Sequence, residues 1–407
     1  MKIYFVVPYV PSLIRVRPYN LIRYLTARGH QVTVYTLFSN PEEYSDVEAL
    51  REHCYRVIAY PLPRWRSIWN CVATIPTRIP LQSVYCWLPD LAKNIISDLL
   101  AESCVPDLIH VEHLRGVRYG IYLKSALAKS NISTPIVWDS VDCISYLFQQ
   151  ASENSLSNFG KWITRFDLPR TRTYEALLLD QFNHVLITSQ NDKQAIMNLH
   201  PEPLVDIKIS IIPNGVDLDY FHTNGDAARE QATLVFSGKM SYHANVTMAL
   251  YLVNEIMPLI WARRPYVKLW IVGKDPPNSI QALGEHTAIT VTGTVDDIRP
   301  FLQKATVAVV PLLYGAGSQL KVLEAMACCT PVVATNQAVS AFNVQQGQDI
   351  LVSQEPDSFA KSVINLLDDP DQRHRIGQSG RKYVEEHHHW GSIAAQLEGI
   401  YHEVTHA

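Results

Sequence analysis

Pro311-Leu312-Leu313-Tyr314-Gly315-Ala316-Gly317-Ser318-Gln319-Leu320-Lys321-Val322-Leu323-Glu324-Ala325-Met326-Ala327 is the stretch on which the reading of the fold turns. A strand predicted over 307–311 ends here, a glycine-containing loop follows, and 319–326 has helical spacing. Such a junction leaves backbone N–H groups unpaired beside the positive end of a helix dipole, which suits a phosphate. Lys321, one turn in, adds a positive charge, and Glu324 lies three residues further along the same face. A carboxylate about two turns from a phosphate site is placed to accept hydrogen bonds from ribose hydroxyls. The alternative is an ordinary strand–turn–helix with Glu324 on the helix surface.

The same alternation extends outward in both directions. In the first half, strands are predicted over 3–7, 31–37, 56–59, 107–111, 135–139 and 184–188, with helices over 18–28 and 172–182. The pattern restarts at Ile209-Ser210-Ile211-Ile212, with strands over 233–237, 268–272, 289–291, 307–311 and 331–334. Helices fall over 246–260, 298–304 and 319–326, and Ile393, Leu397, Ile400 and Tyr401 form a stripe near the end. Strands alternating with helices mark a parallel α/β fold. The 407 residues exceed the roughly 250–300 over which a single core grows. Two Rossmann-like, doubly wound domains are expected. Glycine divides the chain the same way: of 17, only Gly29, Gly116, Gly120 and Gly160 precede residue 200.

Composition removes several classes of function. With 47% hydrophobic and 18% charged residues the chain is not disordered. It has no apolar run long enough to span a membrane. The segment 1–8 reads as a strand and lacks the cleavage site of a signal peptide. Seven cysteines without paired CxxC spacing fit free thiols in a reducing cytosol, so a cytoplasmic location is expected. A net charge of -4 argues against general nucleic-acid binding. Neither half has GxGxxG after its first strand, which disfavours a dinucleotide dehydrogenase, and no GxxxxGK[ST] phosphate loop is present.

Several separated motifs together resemble the retaining GT-B-fold glycosyltransferases of the large family 4 type. They are Pro213-Asn214-Gly215-Val216-Asp217 with Phe221, Phe236-Ser237-Gly238-Lys239-Met240, Leu323-Glu324-Ala325-Met326-Ala327 and Pro331-Val332-Val333-Ala334-Thr335. The resemblance covers nearly the whole chain. It implies two Rossmann-like domains facing a central cleft. An acceptor domain would occupy 1–212, a donor domain 213–385, and a helix in 386–407 would cross back to the first domain through the Trp390 region. It also implies transfer of a sugar from a UDP- or GDP-linked donor to a hydroxyl acceptor, with retention and without metal or another cofactor. Lys239 would sit against the donor pyrophosphate, beside Gly238 and Gly273, and Glu324 at the ribose. Gly315, Ala316, Gly317, Ser318, Gln319 and Leu320 would face the phosphates and donor sugar.

This chain departs from the family pattern at three places. The first glutamate of the family's E-x7-E is Ala316, and the second basic residue, six positions after the first, is Asn245. Lys321 is expected to substitute for that second cation. The N-terminal glycine pair is absent, and Leu13-Ile14 with Arg15 and Arg17 stand there. These arginines would meet an anionic acceptor or the diphosphate, or else be solvated loop charges. Glu112 and His113 end one strand, either being the family's catalytic histidine position. Asp139 and Asp142 at the next strand end would orient the acceptor hydroxyl or act as ordinary loop groups. Asp217-Leu218-Asp219 belongs to a turn rather than a metal site, and His387-His388-His389 reads as a surface tract. A sugar-nucleotide epimerase of the same fold, or a weakened nucleotide-sugar-binding subunit, are the alternative functions.

Residues 53–89 contain no Asp or Glu but hold Arg56, Arg64, Arg66 and Arg78 with Trp65, Trp69 and Trp87. Trp65, Ile68, Trp69 and Val72 fall on one helical face. This composition suits a lipid-linked acceptor or a peripheral contact with the inner face of a membrane through 64–72. It also describes a core-packing helix with snorkelling arginines, which is the reading preferred from sequence.

Overall fold

The computed structural model describes residues 1–101, 105–154, 158–200, 208–223, 229–314 and 319–406. Alternate residues of strand β1 (Lys2–Val7) enter different cores. Ile3, Phe5 and Val7 join one apolar cluster, and Tyr4 and Val6 another. A strand buried on both faces belongs in the interior of a parallel sheet. β1 pairs in parallel with β2 (Gln31–Phe38) and β4 (Leu108–Glu112). With β3 (Arg56–Pro61), β5 (Ile136–Val141), β6 (His184–Ile187) and β7 (Ile209–Ile211), the sheet runs β3-β2-β1-β4-β5-β6-β7.

The second sheet is built from β8 (Thr233–Ser237), β9 (Lys268–Val272), β10 (Ile289–Val291), β11 (Val307–Val310), β12 (Val332–Ala334) and β13 (Leu351–Val352), in the order β10-β9-β8-β11-β12-β13. Its strands are parallel and enclose a separate core around Phe236, Val309 and Phe359. The two expected Rossmann-like α/β domains are present. One compact unit comprises Met1–Ser152, Trp162–Pro213 and Trp390–Ala407, the other Glu153–Lys161 and Asn214–His389.

The structure corrects two local expectations and adds one strand. Residues 209–211 do not restart the pattern but close the first sheet by pairing with β6. The helix expected over 246–260 is interrupted: an α-helix His243–Tyr251 passes through a π-helical turn, Leu252–Ile256, into Met257–Trp261. Pro258, at the junction, has no N–H to continue the regular ladder. β13, only two residues long, gave no periodic signal. The final stripe behaves as expected. The helix Trp390–Thr405 packs Trp390, Ile393, Leu397 and Tyr401 into the first unit's core with Phe5 and Leu21.

Candidate functional site

Both sheets present chemistry at the carboxyl ends of their strands, where open parallel α/β sheets bind ligands. In the second unit, Gly238 follows β8 and Gly273 follows β9, with φ of +151° and +148°. A Cβ on Gly273 would lie 1.8 Å from the Gly238 carbonyl oxygen, so no side chain fits there. The Gly238 N–H donates to the Val272 carbonyl at 3.0 Å, locking the two strand ends together.

Lys239, Lys321, Glu324, Gln319, Leu320 and Gly238 line one cavity of about 350 Å³. Tyr242, which sequence reasoning missed, lies in the same wall with Asn245, which the sequence marked only as the departure from a second cation. Asn245 is buried, donates through Nδ2 to the Lys239 carbonyl at 2.8 Å, and accepts from Lys321 Nζ on Oδ1 at 2.5 Å. The ammonium also lies 4.9 Å from the centre of the Phe236 ring. Burial presses Lys321 down to about 7 and Glu324 up to about 7, each effect opposed by the other group's charge. The helix Leu320–Ala327 starts at this cavity without a side-chain cap. Tyr314 stacks on His243 and is hydrogen-bonded to its Nδ1 at 3.0 Å. Gly315, Ala316, Gly317 and Ser318 lie outside the described residues.

In the first unit, Glu112 and His113 end β4. The register left open by the sequence resolves into two environments. Glu112 is 1% exposed and accepts from the Tyr9 hydroxyl at 2.9 Å, while its Oε2 has no partner among the described residues. Burial, with the charge of Asp139, pushes it up to about 8, so it holds its proton at neutral pH. His113 is half-buried, with φ of 62°. Its Nδ1 accepts from the Arg115 N–H at 3.2 Å, which leaves Nε2 as the protonated nitrogen. Burial and the Arg115 charge push His113 down to about 3, so the ring is neutral. Val141, at the end of the neighbouring β5, also has positive φ, 67°. Two such non-glycine residues at adjacent strand ends are a mark of functional sites.

Arg17 and Asp139 are not open to an acceptor. They form a buried ion pair at 2.8 Å, and Arg17 also donates to the Ile212 carbonyl at 2.9 Å. Their separation of 122 positions concealed this pairing from sequence reasoning. Arg15 is partly exposed, bonded to Val10 O and Glu43 and set over the Tyr9 ring. Asp142 is half-buried and accepts from the Thr188 hydroxyl at 3.3 Å, its carboxyl raised by burial and by Asp192.

Two family models match the chain: one described as Glycosyltransferase Family 4 over 15–220, and one described as Glycosyl transferases group 1 over 231–369. The first covers half of the sequence. The chain belongs to the GT-B glycosyltransferases. Its fold is similar to that of the sucrose-phosphate synthase of Thermosynechococcus elongatus (TM-score 0.71, 19% identity, 99% of each chain). It is also similar to Anabaena HepE, solved with UDP and glucose (TM-score 0.67, 14% identity, 99% of this chain and 100% of that one). The MMP alpha-(1->4)-mannosyltransferase of Mycolicibacterium hassiacum is 28% identical over 206 residues, 48% of each protein. The D-inositol 3-phosphate glycosyltransferase 2 of Catenulispora acidiphila is 29% identical over 219, covering 48% of this chain and 50% of that protein. The chain spans about half the length of the curated relatives it matches.

Two further groups complete the placement of the sequence-predicted residues. The tract His387-His388-His389 is not simply on the surface. His388 is buried, its Nδ1 2.7 Å from the Asn214 carbonyl and its Nε2 3.3 Å from the Tyr383 hydroxyl. The Asp217 carboxylate accepts from the N–H groups of Asp219 and Tyr220, as a turn residue does.

Proposed function

We propose that the chain is a retaining hexosyltransferase of the family 4 type, acting without metal. It would move a sugar from a uridine or guanosine diphosphate donor to a hydroxyl acceptor. The observation that carries this reading is the convergence of Lys239, Lys321, Gln319 and Glu324 on one cavity. Departure of the sugar leaves negative charge on the diphosphate, and preorganised cations and N–H groups stabilise that charge. Lys239, Lys321 and the start of the helix Leu320–Ala327 supply them. Asn245 does not weaken the site in this reading, because its amide holds the Lys321 ammonium beside Gly238. Glu324, when ionised, accepts from the ribose hydroxyls.

His113 offers a fixed Nε2–H donor to a sugar hydroxyl. Protonated Glu112 acts behind it as a positioning residue, reaching the strand end through Tyr9. Asp142 and Arg15 are the remaining polar groups for the acceptor, while Gly273 supports Gly238 from behind. The presence of UDP in the similar HepE structure makes a uridine nucleotide the first donor base to try.

The test is a panel of UDP- and GDP-sugars read by thermal stabilisation, followed by release of free nucleoside diphosphate with and without acceptor. Acceptor-dependent release supports transfer. Interconversion of the sugar without release identifies an epimerase, and stabilisation without either reaction identifies a binding subunit.

A further inference from the structure

Surface helices of globular proteins turn their apolar stripe inward. The helix Arg64–Thr74 does the reverse. Ser67 and Thr74 are buried, and Asn70 donates through Nδ2 to the Trp87 carbonyl at 2.9 Å. The Thr74 hydroxyl donates to the Asn70 carbonyl at 2.6 Å. The outward face carries Trp65, Ile68, Trp69 and Val72, exposed by 64%, 61%, 62% and 48%, and Ile75 continues the stripe. Sequence reasoning preferred a core for these positions and kept a lipid contact as the alternative. The periodicity was real, but the polar side chains took the inner face.

Charge narrows what covers this stripe. Between residues 53 and 89 there is no carboxylate, although the whole chain is net negative. Arg64 and Arg78, before and after the stripe in the sequence, are exposed, and Arg66 is half-buried with its Nε shielded from solvent. Tryptophans together with arginines at the edge of an apolar face match a bilayer surface, where anionic headgroups overlie acyl chains. A second copy of this chain fits poorly. Two-fold contact through the stripe would bring the same arginines of both copies together with no carboxylate from 53–89 between them. The helix is about 16 Å long, half of what a bilayer core requires. Among the described residues no helix is long and apolar enough to cross a membrane.

We propose that this helix seats the protein on an anionic lipid surface, with Trp65, Ile68, Trp69 and Val72 in the acyl boundary and Arg64, Arg66 and Arg78 at the headgroup phosphates. The helix follows β3, at the carboxyl edge of the first sheet on which Tyr9, His113 and Asp142 also lie. An acceptor held in the same lipid surface would therefore be presented to that edge. The proposal stands independently of glycosyl transfer.

Flotation of the full chain with equimolar phosphatidylglycerol and phosphatidylcholine vesicles, against pure phosphatidylcholine, tests it. The protein is expected to float with the anionic vesicles at low salt. The double variant Trp65→Ser/Trp69→Ser should bind about tenfold more weakly or worse. Both tryptophans are exposed, so the melting temperature and turnover on a water-soluble acceptor should not change. Absence of flotation would overturn the proposal, as would equal flotation of variant and wild type or equal binding to neutral vesicles. A wild-type dimer that the same variant dissociates, with no lipid binding, would assign the face to a second copy instead.

Discussion

Asn245 stands where the family pattern carries a second basic residue, and its side chain touches two lysines at once: the main-chain carbonyl of Lys239 and the ammonium of Lys321. In the proposed reading, the cation is carried by the helix instead of the strand-end loop and is tied back by the Asn245 amide. Lys321→Ala should lower turnover by about 10²–10³-fold, read as nucleoside diphosphate release at saturating acceptor. Asn245→Ala should cost less, because the ammonium remains but loses its tether. Unchanged turnover in Lys321→Ala would remove that residue from the site. Glu112 gives a second prediction, with a definite sign. Its pKa rises on folding from 4.5 to about 8, so the native state binds the extra proton between those values and stability falls as pH rises through them. Glu112→Gln keeps an acceptor for Tyr9 without that proton dependence. Its melting temperature should gain on wild type steadily from pH 4.5 to 8, by up to roughly 2–5 kcal/mol in stability. A gap that does not vary with pH would place the Glu112 titration elsewhere. At this scale the sequence disclosed Lys239, Lys321 and Glu324 because each sits in a contiguous strand–loop–helix motif. It concealed Asn245 as a tether and Arg17–Asp139 as a pair, because both depend on contacts between distant segments.

Elements were legible in proportion to their periodicity. Buried parallel strands such as β1 and β11 announce themselves as short apolar runs, and the last helix by its stripe. The two-residue β13 has no period to read, and Pro258 broke a helix whose apolar spacing continued through it. The helix Arg64–Thr74 teaches a different lesson: hydrophobic spacing defines a face but not what that face meets. The glycine contact between β8 and β9 has its own prediction. A methyl group added at Gly273 would stand 1.8 Å from the Gly238 carbonyl oxygen, so Gly273→Ala must push the two strand ends apart. It should destabilise the second unit by about 2–4 kcal/mol and abolish stabilisation by nucleotide, both measured in one thermal-shift series. A normal nucleotide response in Gly273→Ala would show that the approach of these strand ends does not shape the cavity lined by Lys239 and Lys321.

For the molecule as a whole, two sheets with separate cores confirm the doubling inferred from length and glycine distribution, and each carries its polar groups at the carboxyl ends of its strands. The first core is not contiguous in sequence. Trp390, Ile393, Leu397 and Tyr401 are fully or almost fully buried in it, and the Tyr401 hydroxyl lies 2.7 Å from His110 Nδ1 beneath the sheet. Burying each such side chain is worth about 1.5–3 kcal/mol. Losing all four approaches the roughly 5–15 kcal/mol that holds a domain folded. Deleting 390–407 should therefore unfold the first unit while nucleotide still raises the melting temperature of the second; two-transition calorimetry checks this. Birth on the ribosome follows the same constraint. The first unit waits for 390–405, which are synthesised after the whole of the second, so the second can finish folding while the first still has part of one apolar face uncovered, beside Phe5 and Leu21. Until those residues emerge, that face is a target for chaperones and for neighbouring nascent chains.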